Sequence, residues 1–339
     1  MFKRWRALLF VALTTSIPLQ ADELLMKNGS ILKGTLVSAE GGKIVLDTPF
    51  AGKITLNAEN IEKVTTVNPV TLKMADGTIL KDRQLVSTEE GTRAKDPAGT
   101  LDFFNPGEIS YVNPDPWLLG EGYKWFGDVN VSLVSERGNT DTDEWDGDFS
   151  TIWRSLPDRY TVRGNYERDE ANGDKNKNQW NLRGKYDRFR QENPDDYYGV
   201  QAAFAYDEFA DLDLRTTVGP YVGRQFIDTP YLSISGELGV VYVDEQFDVA
   251  EDNDFWGSNW EFRATTELFP WLDLYAEQIG VLNFDEVDEL LVDTKVGVSF
   301  PTVMGIKSSL EALWEYDGGA VEGVDDTDET YRFKLGYEW

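Results

Sequence analysis

The sequence predicts an all-β protein: an antiparallel transmembrane β-barrel of about twelve strands, of the outer-membrane type, preceded by a small periplasmic all-β domain. Three observations predict it. Residues 331–339 alternate apolar and polar side chains and stop on an aromatic carboxy-terminus. The same alternation returns repeatedly from Trp125 onward, and the connectors between the alternating segments fall into two kinds that take turns along the chain.

A period of two puts Tyr331, Phe333, Leu335, Tyr337 and Trp339 on one face of a strand and Arg332, Lys334 and Glu338 on the other, one suited to lipid and one to water. A half-buried strand of a soluble sandwich shows the same pattern, so repetition decides. Tyr160, Val162, Gly164 and Tyr166 oppose Thr161, Arg163, Asn165 and Glu167; Trp180, Leu182, Gly184 and Tyr186 oppose Asn181, Arg183, Lys185 and Asp187. Leu232, Ile234, Leu238, Val240 and Tyr242 oppose Ser233, Ser235, Glu237 and Gly239, and Trp256, Trp260, Phe262 and Leu268 oppose Asn259, Glu261, Arg263 and Glu267. Fainter segments at 198–206, 214–226 and 272–284 bring the total to about twelve, each with the roughly 9 to 11 residues that a tilted spanning strand needs.

One kind of connector is tight and carries proline, at 155–158, 193–195, 228–230, 269–271 and 301–305. The other is longer, polar and acidic, at 137–144, 169–178, 207–213, 244–254, 285–289 and 317–329. An even up-and-down barrel with both ends on one rim demands such interleaving, whereas a sandwich has no reason to sort its turns by rim. Trp153, Tyr160, Tyr198, Tyr231, Trp271, Phe300 and Trp339 gather beside the tight turns. That is the place of an aromatic girdle at a lipid headgroup layer; core plugs are the blander reading, but these residues lie on the apolar face near one end of each strand. Two places fit badly. Arg188 falls on the lipid parity beside a tight turn, where its stem can snorkel, and the strand around Glu277 and Gln278 breaks phase as a bulge would.

At the amino end, Lys3, Arg4 and Arg6 precede an apolar run at 7–13, then Pro18 and a small Ala21 ahead of Asp22, which reads as a secretory signal peptide at 1–21. The run is far short of the ~20 residues of a spanning helix. An exported chain of 339 residues without cysteine forgoes disulfides, which fits a Gram-negative envelope. The formal net charge of -29 argues against nucleic acid as a partner, because phosphates would be repelled. With neither His nor Cys the chain has no Ser-His dyad, no Cys nucleophile and no zinc site of the usual ligand types. No catalytic residue, cofactor or dedicated metal centre is expected; only carboxylate chemistry stays open.

Residues 22–116 hold an internal repeat of about 48 residues. Met26-Lys27-Asn28-Gly29-Ser30-Ile31-Leu32-Lys33 is answered by Met74-Ala75-Asp76-Gly77-Thr78-Ile79-Leu80-Lys81. Ala51-Gly52-Lys53-Ile54-Thr55-Leu56 is answered by Ala98-Gly99-Thr100-Leu101-Asp102-Phe103, and Ile61-Glu62-Lys63-Val64 by Ile109-Ser110-Tyr111-Val112. Asn28-Gly29 and Asp76-Gly77 predict two-residue hairpin turns with positive φ at both central positions. Each copy resembles a small Sm-like or SH3-like barrel by its turn spacing, and suits a periplasmic spacer somewhat better than a binding module. Asn113-Pro114-Asp115-Pro116 ends this region, since two prolines in four residues stop a ladder, and the barrel occupies 117–339.

The strand at 125–135, running into Gly138-Asn139-Thr140-Asp141 and followed by aromatic alternation to the terminal Trp339, resembles the family of salt-induced outer-membrane proteins, whose barrel domain has no known function. The resemblance covers 123–339. Members often carry a preceding repeat with a Lys-Asn-Gly turn and an Ala-Gly-Lys-Ile strand, matched here by Lys27-Asn28-Gly29 and Ala51-Gly52-Lys53-Ile54. It implies residence in the outer membrane and supplies no catalytic residues.

The face opposite lipid holds Arg163, Arg183, Lys185, Arg215, Arg263, Lys295, Arg332 and Lys334 among Asp128, Asp146, Asp148, Glu167, Asp187, Glu237, Glu261, Asp293, Glu311 and Glu315. Such charges either line a narrow aqueous path, where excess carboxylate favours cations, or pair across the lumen and close it; pattern alone leaves both open. Acidic runs at 244–254 and Asp325-Asp326-Thr327-Asp328-Glu329 lack the Gly-centred spacing of a calcium loop, so they read as solvated carboxylates that at most bridge weakly through divalent cations to lipid phosphates. The expected partners are outer-membrane lipid with lipopolysaccharide, and the barrel-assembly machinery through the carboxy-terminal aromatic strand. Three functions compete: a narrow cation-preferring pore with a periplasmic adaptor, a closed barrel anchoring a periplasmic interaction domain under osmotic stress, and an outer-membrane hydrolase. The last is poorest, because no carboxylate pair stands isolated from the abundant Arg and Lys.

Overall fold

The computed structural model describes residues 21–40, 42–103, 109–136, 142–229, 231–269, 271–301, 303–319 and 326–339, so the expected signal peptide lies, but for Ala21, outside the described residues. Two compact units divide the chain, Met1–Pro114 and Asp115–Trp339.

Among its described residues the first unit has ten strands: β1 Asp22–Met26, β2 Ile31–Glu40, β3 Lys43–Thr48, β4 Gly52–Asn57, β5 Ile61–Thr65, β6 Val70–Met74, β7 Ile79–Thr88, β8 Gly91–Lys95, β9 Leu101–Phe103 and β10 Ile109–Val112. The sequence repeat is a repeat of register. In the first copy β1 pairs Leu24 with Leu32 of β2 and with Val64 of β5, and in the second β6 pairs Leu72 with Leu80 of β7 and with Val112 of β10. Every partner is displaced by 48 positions, and the strand order β5-β1-β2-β3-β4 recurs as β10-β6-β7-β8-β9. β10 joins the copies by pairing Val112 with Ala39 of β2. Leu24, Leu46 and Leu72 are fully buried in the shared core, with Leu36, Val64, Leu85 and Val112 around them. The buried Asp22 carboxylate is satisfied by two backbone donors, Leu36 N–H to Oδ2 and Val67 N–H to Oδ1, both at 2.7 Å.

The predicted hairpins form, but not as two-residue turns. Gly29 N–H donates to Met26 O at 2.8 Å and Met26 N–H to Ser30 O at 2.8 Å, with positive φ at Gly29 and not at Asn28. The loop is therefore three residues closed by a glycine bulge, and Met74 to Thr78 repeats it around Gly77. The Asn and Asp instead fold back, Asn28 Oδ1 accepting from Ser30 N–H at 3.0 Å and Asp76 Oδ1 from Thr78 N–H at 2.9 Å.

The second unit is the expected closed barrel of twelve antiparallel strands. They are β11 Lys124–Glu136, β12 Thr142–Arg154, β13 Asp158–Ala171, β14 Asp174–Phe189, β15 Asp196–Asp207, β16 Leu212–Asp228, β17 Leu232–Phe247, β18 Asn253–Phe269, β19 Leu272–Asn283, β20 Leu290–Pro301, β21 Ile306–Asp317 and β22 Thr327–Glu338. Each strand pairs with its neighbours in sequence, and β11 meets β22 over Asp128↔Glu338 to Val131↔Leu335. The terminal residue belongs to the seam: Trp339 N–H donates to Gly127 O at 3.0 Å, and Gly127 N–H to Trp339 O at 3.2 Å. Closure leaves no strand edge, the condition for placing backbone in hydrocarbon.

The predicted parity holds around the ring. Tyr331, Phe333, Leu335 and Tyr337 are exposed on the outside, while Arg332 and Lys334 are buried within. Besides the girdle beside the tight turns, a second aromatic belt encircles the other end, with Trp145 and Tyr166, Trp180 stacked on Tyr206, Tyr242 against Trp256 and Trp314 edge-on to Tyr331. From Tyr331 to Trp339 β22 advances ~26 Å, or roughly 20 Å along the normal of a strand tilted by ~40°, close to the ~25 Å apolar band of outer-membrane barrels. No helix among the described residues is long and apolar enough to cross a membrane; strands do it.

Three details correct the sequence reading. The expected long connector at 169–178 is nearly all strand: β13 and β14 are joined by Asn172 and Gly173 alone, at φ 55° and 86°, a two-residue turn with positive φ at both positions. Likewise only 248–252 of the run 244–254 lies between strands, and the tight side includes the longer connector 190–195. No bulge occurs at Glu277 and Gln278, whose partners Arg263 and Phe262 lie in unbroken register; the shift falls between Glu267 and Phe269. Gln278 faces outward and is satisfied by the Trp260 indole N–H at 3.3 Å and by Thr294 Oγ1 at 3.1 Å. Arg188 donates to Asp158 Oδ1 at 2.8 Å, beside the Tyr186 hydroxyl on the same oxygen, so its charge is met within the wall.

Candidate functional site: the barrel lumen

The inward positions of twelve strands converge on layers of ion pairs. Glu261 of β18 is the hub. Its carboxylate takes Lys185 Nζ at 2.9 Å, Arg163 Nη1 at 3.3 Å, Arg183 Nη1 at 3.4 Å and Arg263 Nη2 at 2.9 Å. β13, which supplies Arg163, stands five strands from β18 in a ring of twelve, so this contact spans the lumen. Lys185 also binds Glu237, and Arg263 reaches Glu277 at 2.7 Å. Six of the predicted lumen charges, Arg163, Arg183, Lys185, Glu237, Glu261 and Arg263, thus form one knot.

The other six are placed apart. Lys334 Nζ bridges Asp148 at 2.8 Å and Glu311 at 2.7 Å, and Arg332 bridges Asp146 at 2.8 Å and Glu167 at 2.6 Å. Arg215 pairs with Glu245 towards the opposite rim from the tight turns. Asp293 and Lys295 make no ion pair or side-chain hydrogen bond among the described residues, and Asp293 is the direct cross-strand partner of Glu315.

Between the knot and the tight-turn rim lies a plug that sequence reasoning missed. Arg159 Nε donates to the fully buried Asp187 at 2.6 Å and lies over the rings of Phe189 and Tyr197; the hydroxyls of Tyr221 and Tyr197 donate to Asp187 and Glu237. Tyr197 is the cross-strand partner of Gly223, and Tyr221 of Gly199. Each ring occupies the space a Cβ on the facing glycine would need, so the glycines let the rings lie flat on the inner wall. Tyr275 lies over Gly297 in the same way and donates to Glu311 at 3.0 Å. The available signal was a tyrosine on the charged parity facing a glycine one strand away.

Beside the knot runs a cavity of about 640 Å³. It is bordered at the tight-turn rim by Tyr231, Thr266, Glu267 and Asp273, and reaches Glu315, two residues before the end of β21. Its wall carries ten carboxylates, Asp128, Asp146, Asp148, Glu167, Glu267, Asp273, Glu277, Asp293, Glu311 and Glu315, against seven Lys and Arg. The excess makes the wall anionic although most cations are paired. No group of three or more acidic side chains among the described residues is gathered to hold a metal ion; of the acidic run at 325–329, Asp325 lies outside them.

An antiparallel, edge-free cylinder with apolar residues between two aromatic belts and charges within is an outer-membrane β-barrel. The chain belongs to the family described as "Protein of unknown function, DUF481", whose model matches residues 129–339. Among solved structures it is similar to an outer-membrane channel from Pseudomonas putida F1, at 12% identity over 64% of this chain and 94% of that one, TM-score 0.39. It is also similar to the outer-membrane channel DcaP of Acinetobacter baumannii (10% identity, 94% of each chain, TM-score 0.32) and to the translocator domain of the autotransporter NalP from Neisseria meningitidis (11% identity, 65% of this chain and 89% of that one, TM-score 0.34). No curated protein matches the sequence.

Proposed function

We propose that the protein is a narrow, cation-preferring outer-membrane pore of the salt-induced type, with its passage beside the Glu261 knot and its first unit held in the periplasm as an adaptor. The supporting observation is the cavity that follows the barrel from the tight-turn rim to Glu315 with ten carboxylates against seven cations on its wall. At ~30 Å³ per water it holds about twenty waters, room for small hydrated ions and little more. Tight turns face the periplasm in barrels of this type, and β11 begins on that rim, so the first unit emerges there. The five-strand order repeated in that unit is the order of SH3-like barrels, which suits an adaptor or spacer.

The lumen-spanning pairs support a second reading, a closed barrel that anchors the periplasmic unit under osmotic stress. Planar-bilayer recording of the folded protein in a KCl gradient separates the two. Discrete steps with a cation-selective reversal potential are expected, reduced in selectivity by Asp293→Asn with Glu315→Gln. Silence from protein that keeps its heat-modifiable mobility would establish the closed barrel instead.

A further inference from the structure

We propose that the lipid-facing side of the β13–β14 hairpin is a docking surface for the phosphate groups of the outer-leaflet glycolipid, with Arg168 and Lys175 as the phosphate-binding side chains. The inference rests on the orientation given above, with the rim opposite the tight turns facing outward. Arg168 shares the outward parity of Tyr166, and its cross-strand partner is the exposed Trp145. Lys175 faces Glu170, which has the same parity. Arg168 therefore stands two residues, ~7 Å along the strand, beyond Tyr166 and its partner Trp180 and level with Trp145 at the outer edge of the belt, at the depth of headgroup phosphates.

Charge distribution singles out this face. Residues 115–339 contain 48 Asp and Glu against 19 Lys and Arg, and the corresponding stretches of the later strands and their connectors, 240–257, 280–294 and 312–331, contain no Lys or Arg at all. Phosphates approaching those sectors meet carboxylates and need a divalent bridge; at the β13–β14 hairpin they meet fixed cations. Both cations are held in place and keep donors to spare. Arg168 binds Glu170 Oε1 through Nε, at 3.1 Å, and Nη2, which leaves Nη1; Lys175 Nζ binds Glu208, which leaves two of its three protons. Asn178 also donates to Glu208, at 2.6 Å, and these two partners hold the Glu208 carboxyl below the usual carboxylate range, so it stays an anchor for Lys175.

The test uses the full chain in detergent with EDTA present, read by native mass spectrometry with bis-phosphorylated lipid A and with the same lipid dephosphorylated. Wild type should retain the phosphorylated form at least ten-fold more strongly. Arg168→Ala with Lys175→Ala should remove that preference, and Glu170→Gln with Glu208→Gln should strengthen it, with heat-modifiable mobility retained in each. Equal retention of the two lipids by wild type, or an unchanged preference in the double alanine variant, would overturn the proposal. The orientation is read separately: the chain has no cysteine, so Ala250→Cys should react with an impermeant maleimide on whole cells. Failure of that labelling alone overturns the orientation and with it the assignment to the outer leaflet, whatever the lipid binding in detergent.

Discussion

The two units use the same period-two strand with opposite polarity. In the first, the side chains turned inward are Leu24, Leu46, Leu72 and Leu85, at 0–1% exposure; in the second they include Glu167, Lys185, Asp187 and Glu261, at 0–8%, while Leu238 and Phe333 stand 60% and 55% exposed on the outside. The difference teaches that alternation records only that a sheet separates two media. Which medium lies on which side is recorded by closure: the first unit folds its apolar faces against each other, and the second closes its polar faces on themselves and leaves hydrocarbon to cover the rest.

If this contrast is right, the largest response comes from removing the polar hub of the second unit. Glu261→Ala leaves Lys185, Arg163, Arg183 and Arg263 around a missing carboxylate. Breaking a buried network from one side costs about 3–5 kcal/mol. Urea unfolding of the barrel in detergent should show that loss, and a cost below about 1 kcal/mol would mean that water already solvates the knot. Next in size is a charge placed on the outer face. Leu238→Arg, between the belts, should cost about 2–4 kcal/mol in a bilayer. The same measurement on an exposed residue of the first unit, Ile31→Arg, should give almost nothing, because water covers it already. Equal costs at the two sites would erase the contrast.

The strands and their parity were legible because lipid imposes an unbroken apolar file on one face of each, as in Tyr331 to Trp339. Beyond the belt lipid no longer does so, and acidic residues occupy both faces; that is why Asp169 to Asn178 read as a loop although β13 and β14 pair almost to their tip. The lumen charges were legible as a set but not as pairs. Whether Arg163 meets Glu261 or Glu311 depends on the stagger of the whole barrel, which no single segment encodes. Inward tyrosines went unread for a different reason: Tyr197 lies on the parity opposite Tyr198 and so belongs with the charges, but that a ring can lie flat there depends on the glycine across the strand pair, which no single segment shows. Gly223→Ala tests that pairing. The new methyl collides with the Tyr197 ring, so a cost of about 1–3 kcal/mol is expected, and Tyr197→Phe should not relieve it because the clash is with the ring. Tyr197→Ala in the same background should recover part of the loss by opening the space.

The smallest expected effect belongs to two surface turns of the first unit. Asp76 and Asp96 each sit in a glycine-bulge turn, and their carboxyls are held below the usual range chiefly by backbone N–H groups of Thr78 and Thr100, at 2.9 and 2.7 Å. A carboxyl whose pKa is lower folded than unfolded stabilises the fold above its unfolded pKa, near ~3.9, and that contribution disappears as pH falls through the folded value. Both turns should therefore loosen only below about pH 4, seen as faster amide hydrogen exchange at Thr78 and Thr100 beyond the intrinsic pH trend. Asp76→Asn with Asp96→Asn keeps an acceptor oxygen at each turn but removes the titration, so the acid-induced loosening should vanish while exchange at neutral pH rises slightly. Loosening of the variant turns with the wild-type pH profile would show that the two turn carboxyls are not its source and would sink this reading of the first unit.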